Sequence, residues 1–155
     1  RYAGDPRVLP MKDRVREAVF NLVGPDVAGK HALDLFGGTG ALGLEALSRG
    51  AVRATFIERH YPTARVLRDN IAALNVDDRC ETIVADAFIY LARDPVLPAT
   101  AWVAFVSPPY DFYLSRRGDM LQMIGALRGA APAGSILVVE SDTRFDPAEL
   151  PEPEA

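Results

Sequence analysis

The chain has 155 residues, of which 49% are apolar and 25% charged, and a net charge of −4. That length buries a core as one domain, in the balance of an ordinary globular protein. No apolar run approaches a membrane span, no secretory signal pattern opens the chain, and there is no strong basic patch to announce a nucleic-acid partner. Cys80 is the lone cysteine and can form no internal disulfide, which goes with a reducing, cytoplasmic setting; it reads as a small buried thiol.

In chain order, residues 13–23 predict a helix with Val15, Ala18, Val19, Leu22 and Val23 on one apolar side, stopped by Gly24-Pro25. Ala32-Leu33-Asp34-Leu35-Phe36 is a strand-like stretch that runs into Gly37-Gly38-Thr39-Gly40. A helical pattern (Leu42, Leu44, Ala46, Leu47) follows to about Ser48 and ends at Gly50. Residues 52–57 predict a strand with Glu58 at its carboxyl end, and residues 61–74 a helix with Val66, Leu67, Asn70 and Leu74 inward. A short strand over 81–84 leads to Asp86-Ala87 and a short helix to Leu91, followed by a turn-rich loop over 94–98. The apolar run Trp102-Val103-Ala104-Phe105-Val106 is a fourth strand and ends in Ser107-Pro108-Pro109-Tyr110. A helix over 118–127 and a strand over 135–140 follow, and 146–155, with Pro147, Pro151 and Pro153, reads as a frayed tail.

Strands alternating with helices predict an α/β fold, a mostly parallel sheet with helices on both faces. Ligands of such sheets sit at the carboxyl ends of the strands. Asp34 through Gly40, Glu58, Asp86 and Ser107 all belong there, so four separate segments converge on one crevice.

Gly38-x-Gly40-x-x-Gly43 fits a dinucleotide fingerprint, with Glu58 twenty residues past Gly38 where a ribose-binding acid belongs, so NAD has to be considered. Asp34 argues the other way. A buried acid is costly unless paired, and it suits a cation such as the sulfonium and ammonium ends of S-adenosylmethionine better than a pyrophosphate. In the Ser107–Tyr110 segment the prolines stiffen the turn and leave its carbonyls free to accept hydrogen bonds. Tyr110 offers a flat face for stacking and Ser107 a short donor and acceptor, a set that suits a planar base with an exocyclic amino group.

These motifs together resemble the class I, S-adenosylmethionine-dependent methyltransferases that act on exocyclic amino groups. The run 34–51, from Asp34-Leu35-Phe36-Gly37-Gly38 to Arg49-Gly50-Ala51, and the first helix with Pro10-Met11-Lys12-Asp13-Arg14 before Phe20-Asn21, are similar to the RsmD-like family. That family methylates guanine N2 in bacterial 16S ribosomal RNA, and the resemblance covers about residues 10–140. It implies a Rossmann-like class I methyltransferase fold, S-adenosylmethionine as cofactor, and ribosomal RNA or the small ribosomal subunit as partner, with a monomer, no membrane and no metal expected.

The roles implied are specific. Asp34, Phe36, Gly37, Gly38, Thr39, Gly40, Glu58, Asp86 and Ala87 would bind the cofactor, Glu58 through its ribose hydroxyls and Asp86 through the adenine amino group, with Ala87 and Phe88 lining the ring. Ser107, Pro108, Pro109 and Tyr110 would form the catalytic turn. Arg14, Arg116 and Arg117 are the candidate RNA contacts. His31 and His60 have no metal-ligand spacing and are assigned no chemistry.

The chain departs from the family at two places: Ser107 stands where Asp or Asn is usual, and Leu9 where Arg is. The Ser-Pro-Pro-Tyr form is also familiar from DNA cytosine-N4 methyltransferases. An amino methyltransferase of DNA or another RNA, acting on cytosine N4 or adenine N6, therefore stays open beside guanine N2, as does a non-catalytic S-adenosylmethionine-binding homologue. From Ser141 onward, five acids at 142, 146, 149, 152 and 154 face Arg144 alone and carry the whole net charge. Any RNA-facing surface is therefore expected at the amino end, where six cations outnumber four acids over residues 1–30, and at Arg116-Arg117. The terminal strands usual in this fold are not fully present and the chain opens without Met, so a single domain is expected with 1–10 as the remnant of an N-terminal extension, in a piece of a longer protein or its ordered residues.

Overall fold

The computed structural model describes residues 13–150. The expectations placed on Leu9, on residues 10–12, on the extension over 1–10 and on the end of the tail lie outside the described residues. Five strands form one parallel sheet: β1 (His31–Asp34), β2 (Arg53–Glu58), β3 (Cys80–Val84), β4 (Trp102–Val106) and β5 (Ile136–Val139). Their order is β3-β2-β1-β4-β5, and each pairing is parallel.

Among the described residues six α-helices accompany the strands: α1 (Asp13–Val23), α2 (Ala41–Ser48), α3 (Tyr61–Ala73), α4 (Ala87–Ala92), α5 (Phe112–Ser115) and α6 (Arg117–Ala130). Alternate strand residues feed two cores. Ala32, Phe56, Val103 and Phe105 pack with α1, α2 and α3, while Leu33, Ile57, Trp102 and Ala104 pack with α4, α5 and α6. Covered on both faces, β4 is buried at every position, which is why its sequence reads as a continuous apolar run rather than an alternation. No helix among the described residues is long and apolar enough to cross a membrane.

The order of connections reverses between β1 and β4. In an open parallel sheet that switch point splays the following loops apart and leaves a crevice at the carboxyl ends. Asp34 ends β1, Glu58 ends β2 and Ser107 follows β4, so the expected convergence is met.

Three expectations need correction, and one short helix is unforeseen. Leu74 is 59% exposed rather than inward, because α3 ends at Ala73 and the chain turns away through Asn75 at φ +60°. Within α1, Phe20 and Val23 take the core, while Leu22 and Ala18 are exposed and only Val15 and Val19 are half-buried; this stripe faces a groove beside β5. The four-residue helix α5 is too short for any periodicity to reveal. Residues 146–150 are not frayed: Asp146 caps a turn by accepting from the N–H of Ala148 at 2.9 Å, and Leu150 packs on the second core. Upstream of that turn, Phe145 stacks on Tyr113 with ring centroids 4.6 Å apart.

Candidate active site

The glycine loop between β1 and α2 is zipped to the neighbouring strands through its backbone. Leu35 N–H donates to the carbonyl of Phe105 at 3.1 Å, Gly37 N–H to that of Ile57 at 2.8 Å, and Gly40 N–H to that of Gly37 at 2.9 Å. Asn70 on α3 braces the loop by donating to the Thr39 carbonyl at 2.9 Å. Gly40 turns at φ +96°, and a Cβ there would lie 2.6 Å from Leu67. Gly43 lets α2 close onto β2, since a Cβ would sit 2.3 Å from the Phe56 ring. Space opens on the crevice side, where a Cβ on Gly38 would meet nothing within 4 Å.

Two acids flank this loop. Asp34 is 2% exposed, and its Oδ1 has no hydrogen-bond partner among the described residues. Burial pushes its carboxyl up to about 7; the N–H of Gly43 pulls down, nearby Glu58 pushes up and the N–H of Phe36 pulls down. An acid in that state gains from any cation brought beside it. Glu58 is 7% exposed, and both its oxygens are oriented by backbone donors, Oε1 by Gly38 at 3.1 Å and Oε2 by His60 at 2.7 Å. A carboxylate has about four acceptor positions, so two remain for a ligand's hydroxyl groups.

Asp86 does two jobs. Its Oδ1 caps α4 by accepting from Ile89 N–H at 3.1 Å, and its Oδ2 lies 3.6 Å from Arg116. Ala87 is buried in the second core under the first turn of α4, where the rings of Phe36, Phe88 and Phe112 gather with centroids 6.0 to 6.2 Å apart. Arg116 stacks on Phe88 at 3.9 Å and donates from Nε and Nη2 to Asp119 at 3.2 Å. The structure thus places Arg116 at the Asp86 end of the crevice. Arg117 pairs with Glu149, and Arg14 stands exposed at the groove beside β5.

After β4, Ser107 is half-buried, Pro108 buried, and Pro109 and Tyr110 exposed. The carbonyls of this turn are not all free: those of Pro109 and Tyr110 accept from Phe112 and Tyr113 at 3.0 and 3.2 Å and so start α5. Pro108's carbonyl takes no backbone partner among the described residues. Tyr110 is 39% exposed, and its hydroxyl donates to Glu140; that bond, with burial, pushes the phenol up to about 12.

Sequence reasoning misses Glu140 as the partner of Tyr110. A signal exists, because it is an acid placed directly after the apolar run 136–139, the position that Asp34 and Glu58 hold on their own strands. Away from the crevice, His31 bonds Thr55 at 2.7 Å at the start of β1, and Cys80 is half-buried with its thiol pushed up to about 11 by burial.

A family model described as Conserved hypothetical protein 95 matches residues 3–153. Over 139 residues the chain is 36% identical to the ribosomal RNA small subunit methyltransferase D of Escherichia coli strain K12, covering 88% of this chain and 66% of that protein. Its identity to the protein of the same name from Haemophilus influenzae is 32% over 112 residues, 72% of this chain and 58% of the relative. The chain therefore spans less than two thirds of the length of these curated relatives. The solved structure of yhhF from Escherichia coli superposes with a TM-score of 0.64 at 35% identity, over 82% of this chain and 64% of that one.

Proposed function

The chain belongs to the family described as Conserved hypothetical protein 95, that of the ribosomal RNA small subunit methyltransferases D, and its fold is the Rossmann-like class I methyltransferase fold. We propose that it transfers a methyl group from S-adenosylmethionine to the exocyclic N2 of a guanine in bacterial 16S ribosomal RNA, in the cytoplasm. The observation that carries this reading is the pairing of a buried acid having an orphaned oxygen, Asp34 on β1, with the Ser-Pro-Pro-Tyr turn at the same end of the adjacent strand β4. A cation site and a base site then share one crevice.

The residues present fit the cofactor. Asp34 offers an unpartnered carboxylate oxygen to a cationic centre, Glu58 accepts from two ribose hydroxyls, and Asp86 with Phe88 takes an adenine edge and face. A pyrophosphate would face Asp34 with like charge, which disfavours the dinucleotide reading. When bound, S-adenosylmethionine supplies a sulfonium methyl group already activated for displacement.

The chain's own work is then orientation. The lone pair of an aromatic amine is delocalised into its ring. Hydrogen bonds from the amine to Ser107 Oγ and the Pro108 carbonyl turn that lone pair out of the ring plane and stabilise positive charge as it grows on nitrogen. Tyr110 holds the base by its face once the base has left its helix or loop. Serine supplies one neutral acceptor here, so the Pro108 carbonyl carries more of the charge stabilisation than it would beside an Asp.

The test is tritium transfer from S-adenosylmethionine to small ribosomal subunits lacking guanine-N2 methylation, with the RNA digested to nucleosides. Label is expected on N2-methylguanosine, and much more slowly in Tyr110→Ala. Label on N4-methylcytidine or N6-methyladenosine moves the substrate, and bound cofactor without label makes the chain a binding homologue.

A further inference from the structure

We propose that Glu140 is the specificity-determining residue of the base site, its carboxylate accepting the ring N1–H of a guanine whose N2 amine sits in the Ser107–Tyr110 turn. This rests on the function proposed above.

The placement is built by the sheet. β5 runs beside β4 with Val139 opposite Val106, and the N–H of Glu140 donates to the Val106 carbonyl at 2.9 Å. Glu140 therefore follows β5 where Ser107 follows β4, one strand spacing away, about 4.8 Å. Two tyrosines on the intervening segment fix it. Tyr113 donates from its hydroxyl to the Glu140 backbone carbonyl at 2.7 Å, and Tyr110 donates to the carboxylate itself. Among the described residues Tyr110 is that carboxylate's hydrogen-bond partner, and one hydroxyl does not exhaust a group with about four acceptor positions. Glu140 is half-buried, and it also lines, with Arg14 and apolar side chains such as Val15, Val19 and Val138, a groove beside β5, so it is not sealed from solvent.

The three exocyclic amines of nucleobases differ in their neighbours. Guanine N2 lies next to N1–H, a donor. Adenine N6 lies next to N1 and cytosine N4 next to N3, both bare acceptors. An ionised carboxylate only accepts. Beside the amine slot it completes guanine's pair of donors, whereas adenine or cytosine would set acceptor against acceptor. Tyr110 thereby both carries the face of the base and aims the group that reads its edge.

The experiment first maps the nucleotide that the unaltered protein labels in small-subunit RNA, then compares kcat/KM on RNA carrying guanine or 2-aminopurine at that position. 2-Aminopurine keeps the N2 amine but presents N1 as an acceptor. The unaltered protein is expected to prefer guanine by about 10- to 100-fold, the usual effect of leaving a polar group unpaired. Glu140→Gln, whose amide can donate, narrows that ratio to about threefold or less with the S-adenosylmethionine Kd unchanged. Glu140→Asp keeps the preference at a reduced rate. Equal rates of the unaltered protein on the two RNAs overturn the proposal, and so does an undiminished preference in Glu140→Gln. Absence of label from any guanine overturns the proposed function itself, and Glu140's role with it.

Discussion

The two halves of the crevice are held together by different means. On the β1–β2 side the acids are almost fully buried and are oriented by main-chain groups: Gly38 and His60 N–H on Glu58, and the glycine loop zipped to Ile57 and Phe105. On the β4–β5 side the contacts join side chains far apart in sequence: Tyr110 with Glu140, and Arg144 with Asp111 at 2.9 Å. Tyr110 itself is partly open to solvent. Main-chain bonds fix one geometry for one invariant ligand. A side-chain network can be re-aimed by a single substitution, which suits the division proposed above, with discrimination between substrates on the second half and cofactor capture on the first.

The largest effect is expected from Asp34→Ala, which should weaken S-adenosylmethionine binding by roughly 100-fold, the value of a charged buried contact; calorimetry reads it directly. A small change would mean that the cation site lies elsewhere. The same residue sets a pH dependence. Its folded value of about 7 stands above the unfolded 3.8, so the native state holds the extra proton. The free protein should therefore lose stability as pH rises from about 4 to about 7. Asp34→Asn should flatten that part of the Tm profile. Cofactor affinity should run the opposite way, rising through pH 7 as the carboxylate ionises.

Tyr110→Ala should lower kcat/KM for RNA by about 30-fold, within the range for one lost base stack, with the cofactor Kd within about twofold. A matching loss of cofactor affinity would erase the division between the two halves. Gly43→Ala should cost about 1–3 kcal/mol in chemical denaturation, because its Cβ would sit 2.3 Å from the buried Phe56 ring. Phe56→Leu in the same chain should recover part of that loss.

The smallest effect belongs to Arg116→Ala. Its stacking on Phe88 and its link to Asp86 predict a two- to fivefold rise in cofactor Kd, about the strength of a half-exposed cation–π contact. If instead the salt dependence of RNA binding drops by about one phosphate contact with the cofactor Kd unmoved, Arg116 serves the RNA, as its sequence alone suggested.

What the sequence by itself determined is the half proposed to hold the cofactor. Asp34, the glycine loop and Glu58 form one strand-loop-helix-strand unit, and each residue sits at a strand end that local pattern locates. The burial of β4 and the extent of α1 were legible for the same reason, since an apolar run and a helical period are properties of neighbours in the chain. Tertiary structure alone decided the other half. Nothing local says that β5 lies beside β4, and only that register brings Glu140 to Tyr110, thirty residues earlier. Likewise Arg116 reads as a candidate RNA contact until Phe88 on α4 and Asp86, which caps that helix, supply a face and a charge to hold it. Side-chain contacts across the sheet are set by strand order, and strand order is a choice of the whole chain's packing.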